Sequence, residues 1–327
     1  MNISKYFSRY DPAGQSFLAA WNDVFRVIDY GTIIIFFAIF PFYVYVHKIN
    51  DVKDREALVF PITNHFYKTV VLMIIGYVIV VLLVLFLATN SILSYIGFLS
   101  LPAWALVIVT YHLIVEVFHV LISLLAIEKF LIYFFPSWEK NVLIVQKFVQ
   151  KYILLLYLGC CLKYALLYAL ESWFGGGRGW ELSYGISYYS LYILLFISVL
   201  LYIPVIISVR KLSHLQSAQL NNPQRYIMIQ IIVVFIVKIV NIIPRSFVAF
   251  LYKDPLYQIL IVPSLSDIVA VPLIVQVSYL GSNKRNWNLL FKKFSFMKFG
   301  KVLLFGYSDT EVVRPLQLES TMFPPRF

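Results

Sequence analysis

The chain has 327 residues, of which 61% are hydrophobic and only 13% are charged, and its mean hydropathy is +0.81. This composition excludes an ordinary soluble domain and is typical of a polytopic membrane protein. The net charge of +11 does not indicate nucleic-acid binding, because the basic residues gather in loops between apolar runs rather than in one solvated patch. We therefore expect no catalytic lobe, no cofactor and no nucleic-acid partner.

The first 29 residues are polar and aromatic and lack the early apolar core of a cleavable signal peptide. We predict that residues 1–29 form an extracellular segment and that the first span inserts itself. Asn2 begins an Asn-Ile-Ser sequence that fits the glycosylation acceptor pattern. So short a pattern arises readily by chance, so Asn2 is a candidate only.

Seven apolar runs follow, with approximate limits 31–46, 67–88, 101–127, 152–170, 188–209, 226–251 and 257–280. They predict an all-α seven-transmembrane helix bundle over residues 30–280. Connections between runs are predicted at His47–Glu56, Thr89–Gly97, Pro136–Gln150 and Glu171–Tyr184. The only two cysteines, Cys160 and Cys161, lie side by side in the fourth run, which favours buried small side chains over a disulfide or a metal pair.

Lysine and arginine mark one side of the predicted bundle. The odd-numbered loops with their helix edges hold 11 basic residues, whereas the even-numbered loops hold 2, and the C-terminal tail is also basic. Because cytoplasmic loops collect Lys and Arg, this asymmetry predicts an external N-terminus and a cytoplasmic tail over residues 281–327. Within that tail, Lys284–Lys301 mixes basic and large apolar residues, which predicts an amphipathic helix at the membrane surface. From Ser308 onward we expect disorder.

The third run carries an ionisable face. His112, Glu116 and His119 fall at i, i+4 and i+7, and Ser123 continues the same stripe. Such a face is costly against lipid, so we expect this helix to lie in the centre of the bundle. A metal site is the less favoured alternative, because this spacing covers nearly two helical turns and three zinc ligands would lie too far apart.

Other ionisable residues also fall inside the spans. Matching depths predict the ion pairs Glu116 with Lys163 and Asp267 with Arg245, and they leave Lys238 without an assigned partner. Ligand-binding candidates are the polar residues expected to line an outward-opening cavity: His112, Glu116, Lys163, Lys238, Asn241, Arg245 and Asp267. For any one of these residues, a purely structural contact between helices is an equally good explanation.

Three stretches, Phe60–Lys68, Leu125–Ser137 and Pro272–Gly281, resemble the class Z serpentine chemoreceptor (Srz) family of nematodes, and the resemblance runs through all seven spans in order. It implies a G-protein-coupled receptor for an odorant-type or pheromone-like small molecule, with an external N-terminus, in the plasma membrane and in the cilia of chemosensory neurons. It also implies a heterotrimeric G protein as partner. Candidate G-protein contacts are Glu128, Lys129, Arg210, Lys211, Lys284 and Arg285, although membrane topology explains basic residues there equally well.

The sequence departs from rhodopsin-like receptors at their switch positions. Glu128-Lys129-Phe130 resembles the acidic-arginine-aromatic triplet that ends their third span, with lysine in the place of arginine. Lysine lacks the forked guanidinium contacts of arginine. Pro272 and Tyr279 are too far apart for the usual motif of the seventh span, and no cysteine is placed for the usual external disulfide. These switch details are therefore not carried over.

Two other membrane functions remain as alternatives. A seven-span ligand-gated cation channel of the odorant-receptor type has an internal N-terminus, so it predicts the opposite topology. A small-solute transporter is less favoured, because the spans show no internal repeat.

Overall fold

The computed structural model describes residues 12–55, 60–89, 93–174, 179–212, 223–251, 262–292 and 294–305. Within these ranges the regular structure is entirely helical. The helices are α1 (Pro12–Asp54), α2 (Phe60–Thr89), α3 (Leu93–Phe134), α4 (Glu139–Lys151), α5 (Ile153–Phe174), α6 (Gly179–Leu212), α7 (Pro223–Leu251), α8 (Val262–Ser282), α9 (Lys284–Phe291) and α10 (Phe296–Phe305). A 3-10 turn, Pro136–Trp138, precedes α4.

Six of the described helices are long and apolar enough to cross a membrane: α1, α2, α3, α6, α7 and α8. A seventh span is reached if the bent pair formed by Pro136–Lys151 and Ile153–Ala169 counts as one, the two parts meeting at 72°. The fourth predicted run corresponds to α5 in this pair. The helices therefore agree with the predicted all-α seven-transmembrane bundle.

Helix α3 occupies the centre of the bundle, as its polar stripe predicted. It contacts α2, α5, α6, α7 and α8, and Leu121, Ile122 and Leu125 in its middle are at most 1% exposed. By contrast, α5 turns leucines such as Leu158 and Leu162 outward, where they are more than half exposed. Apolar outward surfaces of this kind face lipid, whereas the interior of the bundle can hold polar side chains.

A close approach between α2 and α3 depends on Gly76. The Tyr111 hydroxyl of α3 crosses the space beside Gly76 and donates a hydrogen bond to the carbonyl of Met73, with an O···O distance of 2.7 Å. A Cβ at position 76 would overlap that hydroxyl. The missing side chain therefore lets the two helices share this contact.

Two predicted connections prove to be largely helical. The charged segment His47–Glu56 continues α1 as far as Asp54, and most of Pro136–Gln150 forms the 3-10 turn and α4. In α4, Val142 and Gln146 are buried one turn apart while most of the charged residues point outward. Helix α4 was not predicted because its mean hydropathy is low, although its buried residues lie on one face. Helix α3 ends before α4 because Pro136 has no N–H to continue the helix.

The remaining connections are also shorter than predicted. Helix α3 begins at Leu93, inside the predicted loop Thr89–Gly97, and α5 and α6 leave only residues 175–178 of Glu171–Tyr184 outside the described residues. A short amphipathic segment does follow the last span, as predicted, but it consists of two helices, α9 and α10. Asn2 and the segment from Ser308 onward lie outside the described residues.

Candidate functional site: a polar network inside the bundle

The first ion pair of the interior joins α3 to α5. Lys163 binds Glu116, as the sequence predicted, and also donates a hydrogen bond to the Ser187 hydroxyl of α6 over 2.8 Å. The ammonium lies 4.4 Å from the centre of the Tyr164 ring, a cation–π distance. One lysine therefore ties three helices together.

The second ion pair joins α7 to α8. Lys238 Nζ donates to Asp267 Oδ2 over 2.7 Å, and the Tyr188 hydroxyl of α6 donates to the same oxygen over 3.0 Å. The predicted partner of Asp267 was Arg245, and Lys238 had none. Both side chains of the observed pair are nearly inaccessible, at 3% and 5% exposure. Burial of this depth requires charge compensation. Lys238, about two helical turns before the predicted partner Arg245 on α7, provides it. The side chain of Arg245 lies outside the described residues.

Tyrosines and His112 connect the two ion pairs. His112 Nε2 of α3 lies 2.9 Å from the Tyr164 hydroxyl and 3.4 Å from the Tyr184 hydroxyl. The Tyr184 and Tyr188 rings stack in parallel with their centres 6.2 Å apart. Tyr192 follows, with its hydroxyl 2.7 Å from that of Tyr188 and its ring centre 4.1 Å from Lys238 Nζ. We call the two ion pairs, Ser187, His112 and these four tyrosines the interior network.

Five of the seven predicted ligand-binding candidates therefore belong to one network. Asn241 does not join it, since its amide donates to the Val237 carbonyl of its own helix over 3.0 Å. Further along the stripe of α3, His119 and Ser123 are buried, and neither His119 Nε2 nor Ser123 Oγ has a hydrogen-bond partner among the described residues. Along the stripe, His112 and Glu116 therefore have polar partners, whereas His119 Nε2 and Ser123 Oγ have none among the described residues.

The tyrosines of the interior network were missed by the sequence analysis. Tyr184, Tyr188 and Tyr192 recur at every fourth position of α6 and so form one face of the helix. That spacing could have identified them, because three hydroxyls on one face of a span need polar partners. These tyrosine hydroxyls carry no charge, yet they connect the charged residues of the interior network.

A second polar group lies where α1, α8 and α9 meet. Asp54 of α1 forms an ion pair with Arg285 of α9 and accepts a hydrogen bond from the Tyr279 hydroxyl of α8 over 2.7 Å. Asn50 donates to Asn286 Oδ1 over 2.8 Å, and Asn286 donates to the Tyr279 carbonyl over 2.6 Å. We call these five residues the tail cluster.

The predicted G-protein contacts have different surroundings. Arg285 is engaged in the tail cluster rather than displayed freely. At the end of α3, Glu128 is buried with no hydrogen-bond partner for Oε2 among the described residues, and Lys129 is half-buried. The side chains of Arg210, Lys211 and Lys284 lie outside the described residues.

The interior network offers recognition chemistry. It combines two ammonium groups, two carboxylates, an imidazole and tyrosine hydroxyls on aromatic faces, drawn from five helices. Such a set can bind a small molecule through hydrogen bonds and ring contacts, and because each helix contributes a partner, binding there can change how the helices pack. Among the described residues, no group of His, Cys, Asp and Glu is arranged to hold a metal ion.

Comparison with known proteins identifies the family of this chain. Neither the curated proteins nor the solved structures include a match to this chain. The family model described as serpentine type 7TM GPCR chemoreceptor Srz matches residues 26–284. That region contains the interior network and nearly all of the membrane-spanning helices. The chain therefore belongs to the Srz family of serpentine seven-transmembrane chemoreceptors.

Proposed function

We propose that this chemoreceptor binds a small external molecule at the interior network and signals to a heterotrimeric G protein. The observation that carries the proposal is the connection of two intramembrane ion pairs through His112 and four tyrosines on α3, α5, α6, α7 and α8. A bundle that needed only structural contacts would gain little from so many buried polar groups, since each such contact stabilises a membrane protein by only about 1 kcal/mol. Recognition of a ligand explains why these polar groups lie inside the bundle.

The mechanism is differential binding between two arrangements of the helices. Asp267 of α8 is held from two sides, by Lys238 of α7 and by Tyr188 of α6. A ligand that contacts any of these three helices changes the free energy of this junction and so favours one arrangement of α6, α7 and α8. The opposite ends of the same helices then admit the G protein.

The topology proposed for this mechanism has residues 1–29 outside the cell and residues 281–327 in the cytoplasm. The basic residues of the odd-numbered loops support it. Glu128, Lys129, Arg210, Lys211, Lys284 and Arg285 are then near the cytoplasmic ends of their helices, where they are the proposed G-protein contacts. The plasma membrane, and in the animal the cilia of chemosensory neurons, is the proposed location.

Two measurements in intact cells test the proposal together. An N-terminal tag should be stained by antibody without permeabilisation, whereas a C-terminal tag should require it, with surface delivery checked by biotinylation. Cells that also express a promiscuous Gα subunit should then respond to at least one compound of an odorant panel, and cells without the receptor should not. External access to the C-terminal tag alone would contradict the proposal, and ion currents would become the next assay.

A further inference from the structure

Lys163 has an unused donor. An ammonium group carries three N–H donors, and the described residues take two of them, through Glu116 and Ser187. The Tyr164 ring borders the same nitrogen but accepts no conventional hydrogen bond. One N–H of a charged donor is therefore left for a further acceptor, in the middle of the predicted ligand site.

Exposure distinguishes Lys163 from the other charges of the interior network. Its side chain is 30% exposed, whereas those of Glu116, Lys238 and Asp267 are at most 5% exposed. A charged group at mid-depth is costly in contact with lipid, so its accessible part must meet water or a polar ligand. Lys163 is thus the most accessible of these four charges to an entering molecule.

The charges of the interior network determine which kind of polar group on a ligand can bind beside Lys163. A carboxylate ligand would have to share one ammonium with Glu116, and the two negative charges would repel each other. An amine ligand would bring a second cation beside Lys163. Glu116 Oε2 has no hydrogen-bond partner among the described residues, but the charge of that carboxylate is already balanced by Lys163, as that of Asp267 is by Lys238. A neutral acceptor avoids both penalties, and an apolar body suits the neighbouring tyrosine rings.

We infer that the receptor selects small neutral carbonyl compounds, whose carbonyl oxygen accepts the free N–H of Lys163. This inference rests on the proposed function, because it names the ligand class of the same site. The selectivity comes from Glu116, which neutralises the lysine while leaving one donor free. Carboxylates and amines of the same chain length bind more weakly.

The test uses the full-length receptor in lipid nanodiscs and measures the shift of its unfolding temperature with ligand concentration. The probes are a methyl ketone, a carboxylate, a primary amine and an alkene of equal chain length. The matched variants are E116Q/K163Q and E116Q/K163M. Both remove the two ion-paired charges together, so neither leaves an unpaired carboxylate. At position 163, glutamine keeps an N–H donor whereas methionine has none.

The ketone should raise the unfolding temperature of the unmodified receptor in a saturable way, with the other three probes at least about tenfold weaker. E116Q/K163M should bind the ketone at least about threefold more weakly than E116Q/K163Q, because a neutral hydrogen bond is lost. The inference is overturned if the ketone does not bind, if the amine, carboxylate or alkene binds as well as the ketone, or if the two variants bind it equally.

This binding measurement does not depend on signalling. If the receptor binds the ketone as described but never activates a G protein in cells, the coupling part of the proposed function fails and the inference stands. If cells respond to other compounds while the ketone result is negative, the inference fails and the proposed function stands.

Discussion

The interior network and the tail cluster use the same chemistry at different depths. Each contains an ion pair whose aspartate also accepts a hydrogen bond from a tyrosine hydroxyl, Lys238–Asp267 in the interior network and Arg285–Asp54 in the tail cluster. Helix α8 contributes to both through Asp267 and Tyr279. In the tail cluster, however, Arg285 and Asp54 remain 30% and 23% exposed, whereas Lys238 and Asp267 are almost fully buried. Because screening by water weakens an ion pair, burial and not contact geometry should decide which of the two controls stability.

The largest effect is expected from D267N, which leaves Lys238 buried without a counter-charge. Breaking a buried pair in this way should lower the free energy of unfolding by about 3–5 kcal/mol, seen as a lower unfolding temperature in nanodiscs. The charge swap K238D/D267K should restore part of the loss, because the pair is rebuilt. A swap no better than either single reversal would show that the pair does not act as a unit.

Removing one hydroxyl from the interior network should have an intermediate effect. Y188F deletes the hydrogen bond to Asp267 and should lower stability by about 1–2 kcal/mol, the range for polar contacts between membrane helices. Tyr189, next along α6, is half-buried and makes ring contacts with Tyr188 and Tyr192. Y189F is thus the matched control and should change stability little. An equal loss of stability in Y188F and Y189F would show that the hydrogen bond from the Tyr188 hydroxyl to Asp267 makes no specific contribution to stability.

The contact between α2 and α3 gives a comparison that involves no charge. G76A should lower stability by about 1–3 kcal/mol, because the new methyl group overlaps Tyr111. At Gly159 of α5 nothing lies within 4 Å of the corresponding position, so G159A should be neutral or slightly stabilising, as alanine favours helix. The unfolding temperatures of G76A and G159A, measured side by side, test this difference. A harmless G76A would mean that α2 and α3 pack differently.

The smallest stability effect is expected in the tail cluster. R285Q removes the ion pair with Asp54 but leaves the Tyr279 hydroxyl bonded to that aspartate, so the loss should be about 0–1 kcal/mol. D54N provides the complementary variant and should behave similarly in thermal unfolding. A loss as large as that of D267N would contradict the distinction between the two regions.

Part of this arrangement could be predicted from sequence. Hydropathy identified the spans, and the ionisable stripe of His112 and Glu116 indicated a central α3 and the pair with Lys163, because charges inside a membrane need partners. The partner of Asp267 could not be predicted, since Lys238 and Arg245 lie on the same face of α7 and only packing distinguishes them. Helix α4 was missed because hydropathy detects membrane spans better than surface helices, and the tail cluster because its residues are far apart in sequence.

We propose that the interior network, and not the tail cluster, recognises the ligand. The most direct measurement compares concentration–response curves for one active compound in cells expressing the unmodified receptor, Y188F or R285Q at matched surface levels. Y188F should change the half-maximal concentration by about tenfold or more, whereas R285Q should leave it unchanged and alter at most the size of the response. An unchanged half-maximal concentration in Y188F, together with a shift in R285Q, would contradict this assignment of the ligand site.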